Sequence, residues 1–266
     1  MLRSRIFTAL ALAALLIAAI LYPPTVVTSA LFGLILLIGA WEWSAFLGVA
    51  SIGRAIYIVA LAVLGGLLWH YSIPVEHFAL VMELALCWWV IALAWITLAP
   101  QRGGPVAAAI AGALALLPTW IALVRIDTNW ANGAQWTLFI LALAFAADTG
   151  AFFAGRQFGR RHLAPRVSPN KTWEGVIGGM LLALSLGVAA AIWFGVPKVV
   201  FLSLCLAAAG FSVIGDLSES LLKRHVRLKD SGKLFPGHGG MLDRIDSVTA
   251  ATPVMALGLM WLGIGK

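Results

Sequence analysis

Four polar residues stand out in an apolar stretch of the C-terminal half: Asp216, Glu219, Ser220 and Lys223. Because an α-helix completes a turn about every 3.6 residues, positions i, i+3, i+4 and i+7 lie on one face. A face that only packs against a neighbour seldom needs two acids, a hydroxyl and a base within two turns. The spacing therefore predicts a helix whose polar stripe binds a charged ligand or takes part in a reaction.

A basic segment and a glycine-rich turn follow this stripe. Arg224 and Lys229 precede the run PGHGG at 236–240, which permits close backbone approach and can point N–H groups at an anion. It is not a Walker loop, because no G-K-[ST] follows. Asp243 and Asp246 then lie three residues apart, where the last helix is expected to begin. Asp246 has an alternative interpretation as a helix N-cap.

Two other places combine polar residues with an apolar surrounding. Asp148 lies at the end of an apolar run, about two turns before Arg156. A carboxylate at that depth is expected to face a cavity, or else to form an ion pair with Arg156 that locks two helices. The segment SPNKT supplies hydroxyl, amide and ammonium donors from Ser168, Asn170 and Lys171, which suit a phosphate ligand.

The remainder of this basic loop is assigned to structure. Thr172 is expected to cap the next helix, and Glu174 would then sit favourably in its first turn. Arg160 and Arg161 are expected to be solvated loop residues.

Together these residue types indicate one class of chemistry. Carboxylates are hard oxygen ligands suited to magnesium, and arginine and lysine match phosphate oxygens. Acidic ligands inside a basic rim favour phosphoryl or nucleotidyl transfer, where catalysis is mainly positioning and charge stabilisation.

The elements that must position these residues are membrane helices. The chain of 266 residues is 62% hydrophobic and 11% charged, whereas soluble domains carry about 25% charged residues. Most of its apolar runs approach the roughly 20 residues that a spanning helix needs. The sequence therefore predicts an all-α polytopic membrane protein with about nine transmembrane helices. The runs cover 6–21, 25–47, 55–73, 78–98, 106–124, 136–154, 175–196, 199–220 and 247–264.

The basic residues predict the orientation. With a cytoplasmic N-terminus and nine crossings, 15 of the 18 lysines and arginines fall on the cytoplasmic side, as the positive-inside rule requires. The loops 156–173 and 223–246 then face the cytoplasm. The net charge of +7 is attributed to orientation and anionic lipid, with no nucleic-acid partner. The first run could also be a cleaved signal peptide, although it offers no A-x-A site.

The segment SLLKRHVRLKDSGKLFPGHGGMLDRID at 220–246 resembles the signature of the phosphatidate cytidylyltransferases, the CDP-diacylglycerol synthases. That pattern runs S-x-x-K-R, four residues, K-D, then H-G-G-x-x-D-R-x-D. ADTGAFFAGR and SPNKTWEG also resemble family segments, in the expected order. The N-terminal part, 1–130, matches only as a string of apolar helices. The signature is filled by Ser220, Lys223, Arg224, Lys229, Asp230, His238, Gly239, Gly240, Asp243, Arg244 and Asp246.

Because no repeat, low-complexity segment or soluble domain is visible, the sequence predicts a single membrane domain over 1–266, with a helical N-terminal part at 1–130 and the catalytic part in 136–266. The resemblance implies a bacterial-type inner-membrane enzyme that converts CTP and phosphatidate to CDP-diacylglycerol and pyrophosphate with Mg²⁺. A second cation and a homodimer are left open. The implied catalytic residues are Asp216, Lys223, Arg224, Asp243, Asp246 and His238. The implied substrate-binding residues are Ser168, Asn170, Lys171, Ser220, Lys229, Gly239, Gly240 and Arg244.

Two roles within this set stay open. Asp216 and Asp243 are the implied metal ligands, with Asp148 or Asp246 as further candidates. His238 either donates to the leaving pyrophosphate or only shapes the turn.

Two alternatives compete with this function. One is a related enzyme, either a CTP-dependent polyprenol kinase or a cytidylyltransferase for another lipid phosphate. The other is a transporter or channel for an anionic solute. Transporters usually hold their site near the midplane between repeated halves, whereas here the polar residues gather at one end of the helices and no repeat is visible.

Overall fold

The computed structural model describes residues 14–234 and 239–264, and these residues form nine α-helices and one two-stranded sheet. Seven of the helices are long and apolar enough to cross a membrane, which confirms the predicted all-α polytopic class. The helices are α1 (14–21), α2 (Thr25–Trp43), α3 (Ser51–Tyr71), α4 (Val75–Leu98), α5 (Pro105–Asn129), α6 (Gly133–Phe158), α7 (Trp173–Phe194), α8 (Lys198–His225) and α9 (Leu242–Trp261). A 3-10 helix, Ser44–Leu47, extends α2.

Proline marks the start of several helices. Pro24, Pro74 and Pro197 occupy the N-cap positions of α2, α4 and α8, and Pro105 is the first residue of α5. The first N–H groups of a helix have no intrahelical partner, so proline costs no hydrogen bond there. Each predicted run from residue 25 onward corresponds to a helix, while most of the first run lies outside the described residues.

Helix α9 is the central helix, packed against α2, α4, α5, α6 and α8. Small residues such as Ala250 and Ala251 are fully covered and let neighbouring helices approach closely. The Thr119 hydroxyl in α5 donates to the Thr249 carbonyl at 2.9 Å. Because α9 is surrounded by protein, its first turns can carry charged residues that a lipid-facing helix would not tolerate.

The loop predicted over 156–173 contains a β-hairpin that the sequence did not indicate. Strand β1 (His162–Ala164) pairs antiparallel with β2 (Ser168–Thr172). Helices also extend beyond the apolar runs, because backbone hydrogen bonding continues into polar residues that face other protein groups. The connections between α6 and α7 and between α8 and α9 are therefore shorter than the predicted loops.

Several connections meet at one end of the bundle. His225, the last residue of α8, has its Nε2 atom 2.8 Å from the Pro100 carbonyl between α4 and α5. The Arg224 Nε atom donates to the Val167 carbonyl of the hairpin at 3.4 Å. These contacts hold the α4–α5 connection and the hairpin against the end of α8.

Candidate active site

A cavity of about 710 Å³ lies between α6, α7, α8, α9 and the hairpin. It collects most of the residues that the sequence singled out, from three separate segments of the chain. Its polar lining consists of Asp148, Arg156, Ser168, Asn170, Lys171, Thr172, Asp216, Lys223, Asp243, Arg244 and Asp246.

The same cavity has an apolar wall formed by side chains of the membrane helices. Phe152 of α6, Val176 and Met180 of α7, and Val213 of α8 line it. Phe152 is also 59% exposed on the bundle surface, the surface that acyl chains would cover. One space therefore offers a charged end and an apolar wall.

On the hairpin side, the Lys171 ammonium pairs with the Asp216 carboxylate. The two side chains keep 25% and 29% of their surface exposed. The Ser220 hydroxyl lies 3.5 Å from Asp216 Oδ1, one turn further along α8. This partly exposed pair borders the space where a ligand would sit.

On the α9 side, Lys223 forms two ion pairs, at 2.7 Å with Asp243 and 3.1 Å with Glu219. The Lys223 side chain is only 11% exposed and that of Glu219 1%. The structure thus confirms that the polar stripe occupies one face of α8, and it joins that face to the start of α9.

Both carboxylate oxygens of Asp243 are engaged. Oδ1 accepts from Lys223, and Oδ2 accepts from the Ser231 N–H at 3.0 Å, the Ser231 hydroxyl at 2.9 Å and the Gly240 N–H at 2.8 Å. Burial raises the pKa of this carboxyl, but the bonds from Lys223 and Gly240 outweigh burial and lower the pKa to about 2. Asp243 is an anion held firmly by its surroundings.

Gly239 and Gly240, at the end of the glycine-rich segment, both contact the Asp243 carboxylate. The predicted interaction of backbone N–H groups with an anion is present, but for Gly240 the anion is Asp243. Gly239 has a φ of 83°, and a Cβ there would meet the Asp243 carboxylate at 2.5 Å. Gly239 and Gly240 thus help to hold Asp243 in place, while their role towards substrate stays a prediction.

Asp148 and Asp246 contact the same residue of α9. Asp148 accepts from the Ser247 hydroxyl at 2.7 Å, and among the described residues it forms no ion pair with Arg156. Asp246 accepts from the Ser247 N–H at 2.8 Å. It is 9% exposed and lies inside α9, whose N-cap is Met241. The alternative interpretation of Asp246 as an N-cap is therefore wrong, because the helix begins before it.

Some predicted site residues lie apart from the cavity lining. Arg224 is exposed and tethers the hairpin through Val167, and Lys229 is exposed in the connection to α9. His238 lies outside the described residues.

The residues assigned to structure behave as expected. Thr172 caps α7 by accepting from the Gly175 N–H at 3.1 Å. Glu174 accepts from the N–H groups of Arg160 and Arg161, both of which are exposed.

One residue at this end of the molecule escaped the sequence analysis. Glu42, in α2, is 6% exposed and accepts from the N–H groups of Met241 and Leu242 at 3.0 and 2.7 Å. It therefore caps α9 from a distance of about 200 residues in the chain. The signal that the sequence offered for Glu42 was an acidic residue inside an otherwise apolar run.

The donor set fits a hard cation. Among residues 14–234 and 239–264, no three His, Cys, Asp or Glu side chains are already arranged to hold a metal ion. Magnesium in nucleotide sites typically takes one or two carboxylates and completes its shell with water and phosphate. Asp148, Asp216 and Asp246 line one cavity and meet that requirement better than Asp243, whose oxygens are occupied.

Comparison with known proteins shows which family this chain resembles. Residues 3–262 match the model of the cytidylyltransferase family. A phosphatidate cytidylyltransferase of Pseudomonas aeruginosa is 39% identical, with 98% of this chain and 97% of the relative covered. One of Haemophilus influenzae is 35% identical, with 95% and 96% covered. One of Bacillus subtilis is 40% identical over 125 residues, 46% of each chain. The similarity thus extends through the N-terminal half, where sequence motifs were weakest.

Proposed function

This chain belongs to the cytidylyltransferase family, and we propose that it makes CDP-diacylglycerol and pyrophosphate from CTP and phosphatidate in the cavity between α6, α7, α8 and α9. The single observation that carries the proposal is the composition of that cavity. Its charged end contains Lys171, Asp216 and Lys223, and its apolar wall belongs to membrane helices. A water-soluble nucleotide and a lipid phosphate can meet there without either leaving its own phase.

The reaction needs little acid–base help from the protein. An anionic oxygen of phosphatidate attacks the α-phosphorus of CTP, a new P–O bond forms, and the bond from the α-phosphorus to the bridging oxygen breaks. That oxygen leaves on pyrophosphate with the electron pair. Since the nucleophile is already an anion, no base is required, and the barrier is repulsion between two negative substrates.

Cationic side chains lower that repulsion. Three of them line the cavity from different elements: Lys171 from β2, Lys223 from α8 and Arg244 from α9. Lys171 now pairs with Asp216, so an incoming phosphate would exchange one anionic partner for another. Lys223 instead stays held by Glu219 and Asp243 and supplies a fixed positive charge.

A divalent cation, with Mg²⁺ as the candidate, would be held by Asp216 with Asp148 or Asp246. When bound, it would supply positive charge that offsets the negative charge of the substrate phosphates. We expect EDTA to abolish turnover by the purified protein and added Mg²⁺ to restore it. Undiminished turnover in EDTA would remove the cation from the proposal.

Isotope position distinguishes this function from the kinase alternative. CTP labelled at the α- or the γ-phosphorus is supplied with phosphatidate and Mg²⁺. We expect α-label in the lipid product and γ-label in pyrophosphate. A lipid labelled only from the γ-position would reject the cytidylyltransferase reaction in favour of phosphoryl transfer.

We propose that the protein lies in the inner membrane with the charged end of the cavity facing the cytoplasm. The reason is that 15 of the 18 basic residues fall on the cytoplasmic side of the predicted topology. Cys87 and Cys205 are first replaced by serine. Single cysteines at the exposed positions Arg166 and Lys233 should then resist a membrane-impermeant thiol reagent in intact cells and react after permeabilisation. Labelling in intact cells would show that the proposed orientation is wrong.

A further inference from the structure

Glu42 is a buried carboxylate of the N-terminal half that touches the catalytic half. It lies near the end of α2 and is 6% exposed. Burial of a carboxylate is unfavourable unless its oxygens are hydrogen-bonded. Here both are: Oε1 accepts from the Met241 N–H at 3.0 Å, and Oε2 from the Leu242 N–H at 2.7 Å. The donors are the N–H groups of the N-cap and of the first residue of α9, where the helix dipole favours negative charge.

Two glycines of the connection between α8 and α9 lie directly against this carboxylate. A Cβ at Gly232 or at Gly240 would collide with the Glu42 carboxylate oxygens. Gly240 belongs to the family signature, so part of that signature accommodates Glu42.

Ser231 links Glu42 to the cavity. Its hydroxyl lies 3.1 Å from Glu42 Oε2 and 2.9 Å from Asp243 Oδ2, and it has a single proton to share between them. Asp243 in turn accepts from Lys223 at 2.7 Å. A continuous path of polar contacts therefore runs from α2 through Ser231 and Asp243 to a lysine that lines the cavity.

We propose that Glu42 is a positioning residue for the reaction. It holds the start of α9 and Ser231, and through them it sets the places of Asp243 and Lys223. Glu42 lies behind Asp243 and is not among the described residues that line the cavity, so it acts through these groups and not on substrate. The inference rests on the proposed cytidylyltransferase function and makes α2 a structural support of the active site.

The first test is Glu42→Gln in the full-length protein, purified in detergent and assayed with CTP, phosphatidate and Mg²⁺. Glutamine has one acceptor oxygen, so one of the two N–H groups of α9 would face an amide NH₂. We expect kcat to fall by about 10- to 100-fold, because small misplacements of catalytic groups have effects of this size. The KM for CTP should change little, since Glu42 does not touch the nucleotide. The control is Glu76→Gln, which makes the same change at an exposed position of α4.

A second variant displaces Glu42 without removing its charge. Gly232→Ala places a Cβ against the Glu42 carboxylate, whereas Gly66→Ala meets no atom within 4 Å and serves as its control. Gly232→Ala should lower kcat as Glu42→Gln does. If Glu42→Gln is not recovered as folded protein, the kcat of Gly232→Ala tests the positioning role of Glu42 in its place.

A double-mutant cycle with Ser231→Ala tests the path itself. If Glu42 acts partly through Ser231, the combined loss in kcat should be smaller than the product of the two single losses. Independent effects would overturn the path through Ser231.

The outcomes separate the inference from the function on which it rests. An unaltered protein that makes no CDP-diacylglycerol would count against the proposed function. An active unaltered protein with a wild-type kcat in folded Glu42→Gln or Gly232→Ala would overturn the positioning role alone. Failure of both variants to fold would assign Glu42 to stability and overturn the inference as well.

Discussion

Two lysine–aspartate pairs border the cavity, and the fold holds them differently. On the hairpin side, Lys171 and Asp216 keep 25% and 29% of their side-chain surface exposed. On the α9 side, Lys223 and Asp243 are each 11% exposed, and Glu219 and Ser231 contact them as well. The first pair joins a short hairpin to α8, and the second joins the ends of two packed helices.

The difference shows that residue type does not decide role. An exposed ion pair is weak and can be exchanged for other partners, so Lys171 and Asp216 can open to receive a phosphate or a cation. A buried pair is costly to break because its members have no water to replace the lost partner. Lys223 and Asp243 are therefore expected to act as a fixed scaffold as well as a source of charge.

The largest effect is expected at Lys223. Lys223→Ala would leave Glu219 and Asp243 buried without their shared cation, and breaking a buried pair destabilises by about 3–5 kcal/mol. Thermal unfolding should show a large loss of stability together with loss of activity. Lys233→Ala, at an exposed position, is the control. A stable Lys223→Ala protein would mean that the α9 side is not a scaffold.

Asp216→Asn should have a comparable effect on activity but little on stability. Removing a group that interacts with charge in the transition state lowers kcat by about 100- to 1000-fold. Because the Asp216 side chain is partly exposed, unfolding should stay close to that of the unaltered protein. Asp243→Asn in parallel should lose activity and also stability. Equal stability losses in the two variants would abolish the distinction between the pairs.

A smaller effect is expected at Arg224, which anchors the hairpin through the Val167 carbonyl. Loss of one charge-assisted hydrogen bond corresponds to about 1.5–3 kcal/mol at most, and solvent exposure reduces this. We expect Arg224→Ala to lower kcat/KM about tenfold. Arg160→Ala and Arg161→Ala should change it by less than about twofold, because both side chains are exposed loop residues outside the cavity lining. Equal losses would indicate a general effect of surface charge.

The smallest effect concerns the junction of the hairpin with α7. Thr172→Val keeps the shape of the side chain and removes the hydroxyl that accepts from the Gly175 N–H. Loss of an N-cap costs about 1 kcal/mol, so the midpoint of thermal unfolding should fall slightly. Ser185→Ala, in the middle of α7, removes a hydroxyl that only contacts its own helix and should leave the midpoint unchanged. A loss as large as that of Lys223→Ala would show that the hairpin side is also a scaffold.

The sequence by itself determined the local features. Apolar runs predicted the membrane helices, since lipid requires every backbone group to be bonded within its own segment. The spacing of Asp216, Glu219 and Lys223 placed them on one face, because helical periodicity depends only on the backbone. Thr172 was predicted as a cap for the same local reason, and the signature at 220–246 pointed to the family.

Only the tertiary structure decided which partner each polar group takes. Nothing near Glu42 in sequence shows that it caps a helix about 200 residues away. Spacing alone also did not show that the Gly240 N–H binds Asp243. Nor did it show that Lys171 faces Asp216 while Lys223 faces Asp243. Such choices depend on which helix ends meet and which charges are buried there, because a buried donor or acceptor must find its partner among the groups that packing brings close.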